Sequence, residues 1–370
     1  MKIPLTKPYF TEKDISKISE EVKDVLSSGR LILGKYTERF EKEFAKYIGV
    51  KCAIAMNSCT SALMTALRYL DIKDREVIVP SSTFIATPNS VMETGGKVVF
   101  AEMNKKTLCM DPNDLQKKIT KKTKAVIIVH LLGLIDSDIE KIKRICKERD
   151  LVLIEDAAHA HGAEINGIKA GNLSDIGCFS FYPTKVMTTM TGGMLTTNNE
   201  DMVQYVKSVR FFGTGSNRTE IVRFGNDWLL GEINAILGFY QLQGLDQNIR
   251  KRNRIARIYN QELGGKQGIE LFPVPNNVVH SYYKYPVLLP KKLKRDKIIK
   301  IMKEKYDIET SPVYIPCHMQ PFYRNMFGFK KGYLPVTEQI LERVICLPMC
   351  AQMTEHDQKY VIDSFKQVLG

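Results

Sequence analysis

Between residues 51 and 197, short apolar runs alternate with helical patterns, and this alternation limits the fold more than any other feature. The runs at 77–79, 98–100, 125–129 and 151–154 are apolar throughout, as strands buried on both faces must be. Between the last two, residues 138–149 set Ile139, Ile142, Ile145 and Cys146 on one helical face, with Asp136 and Ser137 supplying N-cap chemistry just before. The pattern predicts an α/β fold with a mostly parallel sheet flanked by helices. Ligands of such sheets bind beyond the carboxyl ends of strands. Asp156 lies at such an end.

The period changes further along. Residues 231–263 read as one long helix, 280–289 as a strand, 291–305 as a helix, 308–313 as a strand and 355–368 as a closing helix. This predicts a smaller C-terminal α+β domain, dividing the chain into residues 1–250 and 251–370. With 370 residues there is length enough for both.

Charge and cysteines exclude more than they assign. Lys and Arg number 54 against 41 acids, a net charge of +13, but the basic residues are spread and mixed with acids. The runs Arg250-Lys251-Arg252-Asn253-Arg254 and Lys291-Lys292-Leu293-Lys294-Arg295 read as solvated helix faces, with attraction of an anionic substrate as the alternative. No nucleic-acid-binding motif accompanies them. The eight cysteines form no CxxC pair, so they read as buried thiols, and no metal site is expected. The longest apolar run, 125–135, is too short to span a bilayer, and the first residues lack a signal-peptide pattern. A cytoplasmic protein is expected, with neither membrane nor nucleic acid as partner.

The chemistry concentrates around one lysine. Glu155-Asp156-Ala157-Ala158-His159 closes the fourth strand, and Phe179-Ser180-Phe181-Tyr182-Pro183-Thr184-Lys185 follows, then Gly192-Gly193. A strand-end Asp, with a Ser and a Lys five residues apart, supplies what pyridoxal 5'-phosphate (PLP) requires: a Schiff-base amine, a partner for the pyridinium nitrogen and a phosphate ligand. Burying Asp156 without such a partner would be costly, although turn or capping duty is the alternative. Asn57-Ser58-Cys59-Thr60-Ser61 opens a helix whose first N–H groups suit a phosphate, or the hydroxyls merely cap it. Phe84 is placed to stack on a pyridine ring or to fill core. His159 would touch the ring or its phenolic oxygen, or bond within its loop. The double glycine would let backbone approach the cofactor.

In order along the chain these motifs resemble the DegT/DnrJ/EryC1/StrS family of PLP-dependent sugar aminotransferases. The likeness also takes in Gly34-Lys35-Tyr36-Thr37-Glu38-Arg39-Phe40-Glu41, Ser82-Thr83-Phe84-Ile85-Ala86-Thr87, His130-Leu131-Leu132-Gly133, Tyr314-Ile315-Pro316-Cys317-His318 and Cys346-Leu347-Pro348-Met349. It implies a fold-type I homodimer with active sites at the subunit interface. Carried over, Lys185 and Asp156 are catalytic, Thr60, Ser61 and Ser180 bind phosphate, Phe84 and His159 contact the ring, and His318 lies near the sugar. Three positions depart from the family pattern. Thr191 replaces an acid before the double glycine, while Asp227 and Leu229 occupy the places of an Asn and an Arg. After a one-residue shift, Asn226 would be the residue reaching the neighbour's cofactor phosphate.

The expected reaction moves an amino group from an amino acid to a keto-sugar; family analogy makes the donor L-glutamate and the acceptor nucleotide-linked. The alternatives are a PLP-binding sensor of the same fold and the family's sugar dehydratase branch. That branch carries histidine where Lys185 stands.

Overall fold

The computed structural model describes residues 2–217 and 219–370. Its seven-stranded sheet runs in the order Cys52–Met56, Gly193–Thr197, Ile176–Ser180, Val152–Asp156, Thr123–Val129, Glu76–Pro80, Lys97–Ala101. All are parallel except Gly193–Thr197, which pairs antiparallel with both neighbours. The carboxyl ends of the six parallel strands therefore share one edge of the sheet, where the antiparallel strand begins. Residues 57–61, 81–87, 130–133, 156–161 and 180–193 all emerge there.

Helices cover both faces because the strands are apolar on both. Phe44 of the Lys35–Ile48 helix packs edge-on against Phe179 and Phe181, and Phe40 packs at a tilt against Phe181. On the other face, Ala62, Leu63, Ala66 and Leu67 of the Cys59–Tyr69 helix are buried with Ile54, Val77, Ile127 and Ile154. The four residues expected on one face of the Ile139–Glu148 helix are all buried. Its cap differs from expectation. Asp138 occupies the N-cap without a side-chain bond, and Asp136 Oδ1 accepts the Asp138 N–H (3.0 Å).

The later chain departs further from the sequence reading. The helix expected over 231–263 breaks at Gly244 into Glu232–Gln243 and Leu245–Leu263, so residue 250 falls inside a helix. A second, antiparallel sheet follows the order Glu270–Leu271, Tyr285–Leu288, Val344–Leu347, Ser311–Pro312. Of the expected 280–289 strand only Tyr285–Leu288 forms. Residues 281 and 283 instead donate backbone N–H groups to Gly133 and Leu132, and Tyr282 takes φ 46°. The N-terminus also crosses over: Ile3 pairs with Ile308 and is buried with Tyr259, Met302 and Phe365. All eight cysteines are free thiols, seven of them buried.

Candidate active site

The acid pair at the end of Val152–Asp156 shows how the sheet divides labour. Successive residues of a strand face opposite ways. Glu155 is fully buried and accepts from His130 Nε2 (2.8 Å), Gly171 N (2.6 Å) and Leu173 N (2.8 Å), fastening the 171–174 loop. Asp156 accepts from the Thr87 hydroxyl (2.7 Å) at Oδ2 and from Ala158 N (3.2 Å) at Oδ1. Burial raises its pKa, with the Thr87 and Ala158 bonds opposing. No cation lies within ion-pair distance of it among the described residues, so a ring N–H would supply the missing donor.

Lys185 sits in the loop joining Ser180 to Gly193, and its Nζ lies 4.7 Å from the centroid of the Tyr283 ring. Burial lowers its pKa, with Lys284 adding to the effect and Tyr283 and Asp156 opposing it. A larger share of the amine is thereby neutral, the form that attacks an aldehyde. Tyr283 is held in turn by the Thr184 hydroxyl (3.0 Å) and stacks on His159 at 4.4 Å. His159 Nδ1 accepts from Leu132 N (3.2 Å), which leaves the proton on Nε2 facing the Tyr314 hydroxyl (3.1 Å). Burial, then Lys185 and Lys284, holds this imidazole well below its usual pKa, so it is neutral.

Ser58 caps the Cys59–Tyr69 helix by accepting Ser61 N–H (3.1 Å), leaving the first N–H groups of the helix without an intrahelical acceptor. The Ser61 hydroxyl is turned into that loop, 2.7 Å from Asn57 Oδ1, while Thr60 lines an open cleft of about 800 Å³ with Met64, Ile85 and Phe322. Gly193 matters here because a Cβ on it would stand 2.2 Å from the Ser58 carbonyl carbon. The double glycine thus admits the chain's own Ser58–Cys59 backbone to this edge. Ser180 is half-buried, with its hydroxyl 3.4 Å from Tyr182 N. The Phe84 ring is 55% exposed and 5.6 Å from Tyr314. An exposed ring, a buried acid, a half-buried amine and an open helix start on one sheet edge fit PLP.

Residues 12–366 match the DegT/DnrJ/EryC1/StrS aminotransferase family. The chain belongs to it. A GDP-perosamine synthase of Caulobacter vibrioides is 37% identical, with 91% of each chain covered. A dTDP-3-amino-3,4,6-trideoxy-alpha-D-glucose transaminase of Micromonospora megalomicea is 32% identical over 97% of this chain and 96% of its own. The PLP form of the putative sugar aminotransferase Spr1654 from Streptococcus pneumoniae superposes with TM-score 0.93 at 27% identity, covering 100% and 99% of the two chains, and a PMP form is also known. The protein is thus an enzyme, a sugar aminotransferase whose cofactor is PLP.

Two expected site residues of this aminotransferase sit differently from the sequence reading. His318 is fully buried, Nδ1 2.7 Å from Ser81 Oγ and Nε2 3.0 Å from Glu338. Neither ring nitrogen is free for a sugar, and the side chain instead ties the 317–319 turn to the sheet and to the Pro335–Arg343 helix. Asn226 Oδ1 accepts from Arg68 (2.8 Å), whose guanidinium lies over Trp228 and Phe224. Of the departures from the family pattern, Thr191 donates to the Asn57 carbonyl (3.3 Å). The Trp228 carbonyl, between Asp227 and Leu229, accepts Asn57 N–H (2.9 Å). These segments brace the loop that starts the Cys59–Tyr69 helix. The sequence reading missed Thr87, Tyr283, Lys284 and Tyr314. Thr87 and Tyr314 lie inside motifs of the family resemblance, whereas Tyr283 and Lys284 were hidden in a segment read as strand.

Proposed function

We propose that the enzyme transfers an amino group from L-glutamate to a nucleotide-linked keto-deoxysugar, with Lys185 as the exchanging amine. The observation that carries this reading is the half-buried Lys185 amine, its pKa lowered, on the same sheet edge as buried Asp156. Bound PLP supplies an aldehyde for amine exchange and a protonated ring that takes up electrons. Asp156 would hold the proton on the ring nitrogen. Once displaced, neutral Lys185 Nζ would be the base that moves a proton from the donor α-carbon to the carbon on the other side of the amine nitrogen. Phe84 would cover the ring and His159 stand at its side, while Thr60 and Ser180 would take the phosphate with the helix start, and Ser61 would join them once its hydroxyl leaves Asn57 Oδ1.

The acceptor class rests on relatives named for GDP- and dTDP-sugars and on a positive charge that suits a diphosphate. A second copy of the chain is assigned to complete each site. A cytoplasmic setting accords with eight unpaired thiols; no helix among the described residues is long and apolar enough to cross a membrane.

Absorbance of the PLP-loaded enzyme tests the reaction. L-glutamate should convert a visible cofactor band to a near-ultraviolet one, and a nucleotide-linked 4-keto-6-deoxysugar should restore it. Lys185→Ala should lack both the covalent band and turnover. A wild-type band that glutamate leaves unchanged would favour another donor or a sensor; turnover by Lys185→Ala would remove the role given to that residue.

A further inference from the structure

Lys284 is a second cation at the Lys185 end of the site. Its Nζ lies 5.5 Å from the centroid of the Tyr283 ring that Lys185 approaches at 4.7 Å. Its hydrogen-bond partner is neutral, the Ser311 hydroxyl at 3.1 Å, and no carboxylate reaches ion-pair distance among the described residues. The groups facing it or sharing its ring are Lys185, Tyr283, His159, Ser311 and the Cys346 thiol, and none of them is a carboxylate. A half-buried ammonium without a counter-ion is costly unless an anion arrives. Its field is felt in the site, where it adds to the lowering of both Lys185 and His159.

We infer that Lys284 binds a carboxylate of the amino donor. This inference rests on the reaction proposed above. A dicarboxylic amino acid carries its carboxylates two and four bonds from the amine that exchanges with Lys185. The diphosphate of a sugar nucleotide is held off from its ketone by the width of the sugar ring. The ammonium that shares the Tyr283 ring with the exchanging amine therefore meets the donor. Tyr283 spaces the two cations, and Ser311 aims the second one.

Glutarate, a dicarboxylate without an amine, and inorganic pyrophosphate, an anion without a carboxylate, separate the two sources of negative charge. Calorimetric titration of the PLP-loaded enzyme should show Lys284→Met weakening glutarate binding by about 10- to 100-fold, as loss of one charge-assisted contact does. Lys284→Arg should restore most of it, and pyrophosphate binding should be unchanged. With L-glutamate the same variant should raise KM far more than it lowers kcat. Lys284→Gln provides a second neutral variant should methionine disturb the fold. Glutarate binding that is absent from the wild type, or equal in wild type and both neutral variants, overturns the inference. Loss of pyrophosphate instead reassigns Lys284 to the acceptor phosphate. Failure of the wild type to react with L-glutamate counts against the proposed reaction, while the glutarate titration still judges Lys284.

Discussion

Burial sets the protonation of the histidines around the site. His161, against Phe179 and Phe181, is lowered to about 3 by burial and then by Lys185; His280 is lowered to about 3 by burial. An unfolded histidine titrates near 6.5. Between these values the unfolded chain binds a proton that the folded chain refuses, so the stability these residues allow is present above pH 6.5 and lost as pH falls toward 3. The slope is at most about 1.4 kcal/mol per pH unit for each histidine. Asp136, raised to about 7 by burial, acts in the opposite sense over part of this range. Replacing His161 isolates its own share: His161→Phe should flatten the fall in urea midpoint between pH 7 and pH 5. Parallel pH curves for the two proteins would refute the assignment. At this scale the sequence singled out Asp156 and Lys185, because an acid at a strand end and a lysine at fixed spacing from a serine demand a partner, and the structure buries the acid and half-buries the lysine. The bonds of His318 were not legible, because nothing local in the sequence shows that Ser81 and Glu338, 237 and 20 residues away, close on its two nitrogens.

Elements meet at backbone distance where the sequence provides for it. Gly193 allows the antiparallel strand to abut the start of the Cys59–Tyr69 helix. In Gly193→Ala the new methyl would need the Ser58 backbone to retreat, at a cost of about 1–3 kcal/mol. A lower melting temperature and weaker PLP binding are expected together, measured by thermal unfolding and cofactor titration. A variant that melts earlier but binds PLP normally would separate the glycine from the phosphate loop. Capping across distance was harder to foresee. Glu232 opens its own helix, yet its carboxylate accepts N–H groups from Gly34 (3.0 Å), Tyr36 (2.9 Å) and Thr37 (3.0 Å), seating the Lys35–Ile48 helix. Period and turn residues marked both helices, but which acid would cap which helix depended on how they pack.

For the molecule as a whole, the exposed apolar residues carry the next prediction. Leu31, Ile32, Phe212, Ile221, Val222 and Phe224 stay exposed, Phe224 by 74%. Scattered apolar exposure is ordinary, but these come from two loop segments, and Ile32 bridges Gly231 beside the second. The proposed homodimer would cover them. Sedimentation should give twice the 42.2 kDa chain mass, and Phe224→Asp should shift it toward monomer with loss of turnover. A monomeric, active wild type would end the interface reading. Alternating apolar runs determined the parallel sheet and its covering helices, since a strand buried on both faces admits no other composition. The order of motifs determined the family and cofactor, since the chemistry needs particular side chains at particular strand ends. Tertiary structure alone decided that residues 280–284 would leave their strand to set the Tyr283 ring against both Lys185 and Lys284. Their backbone finds its partners in the 131–133 turn, some 150 residues earlier, and no local pattern encodes a contact made at that separation.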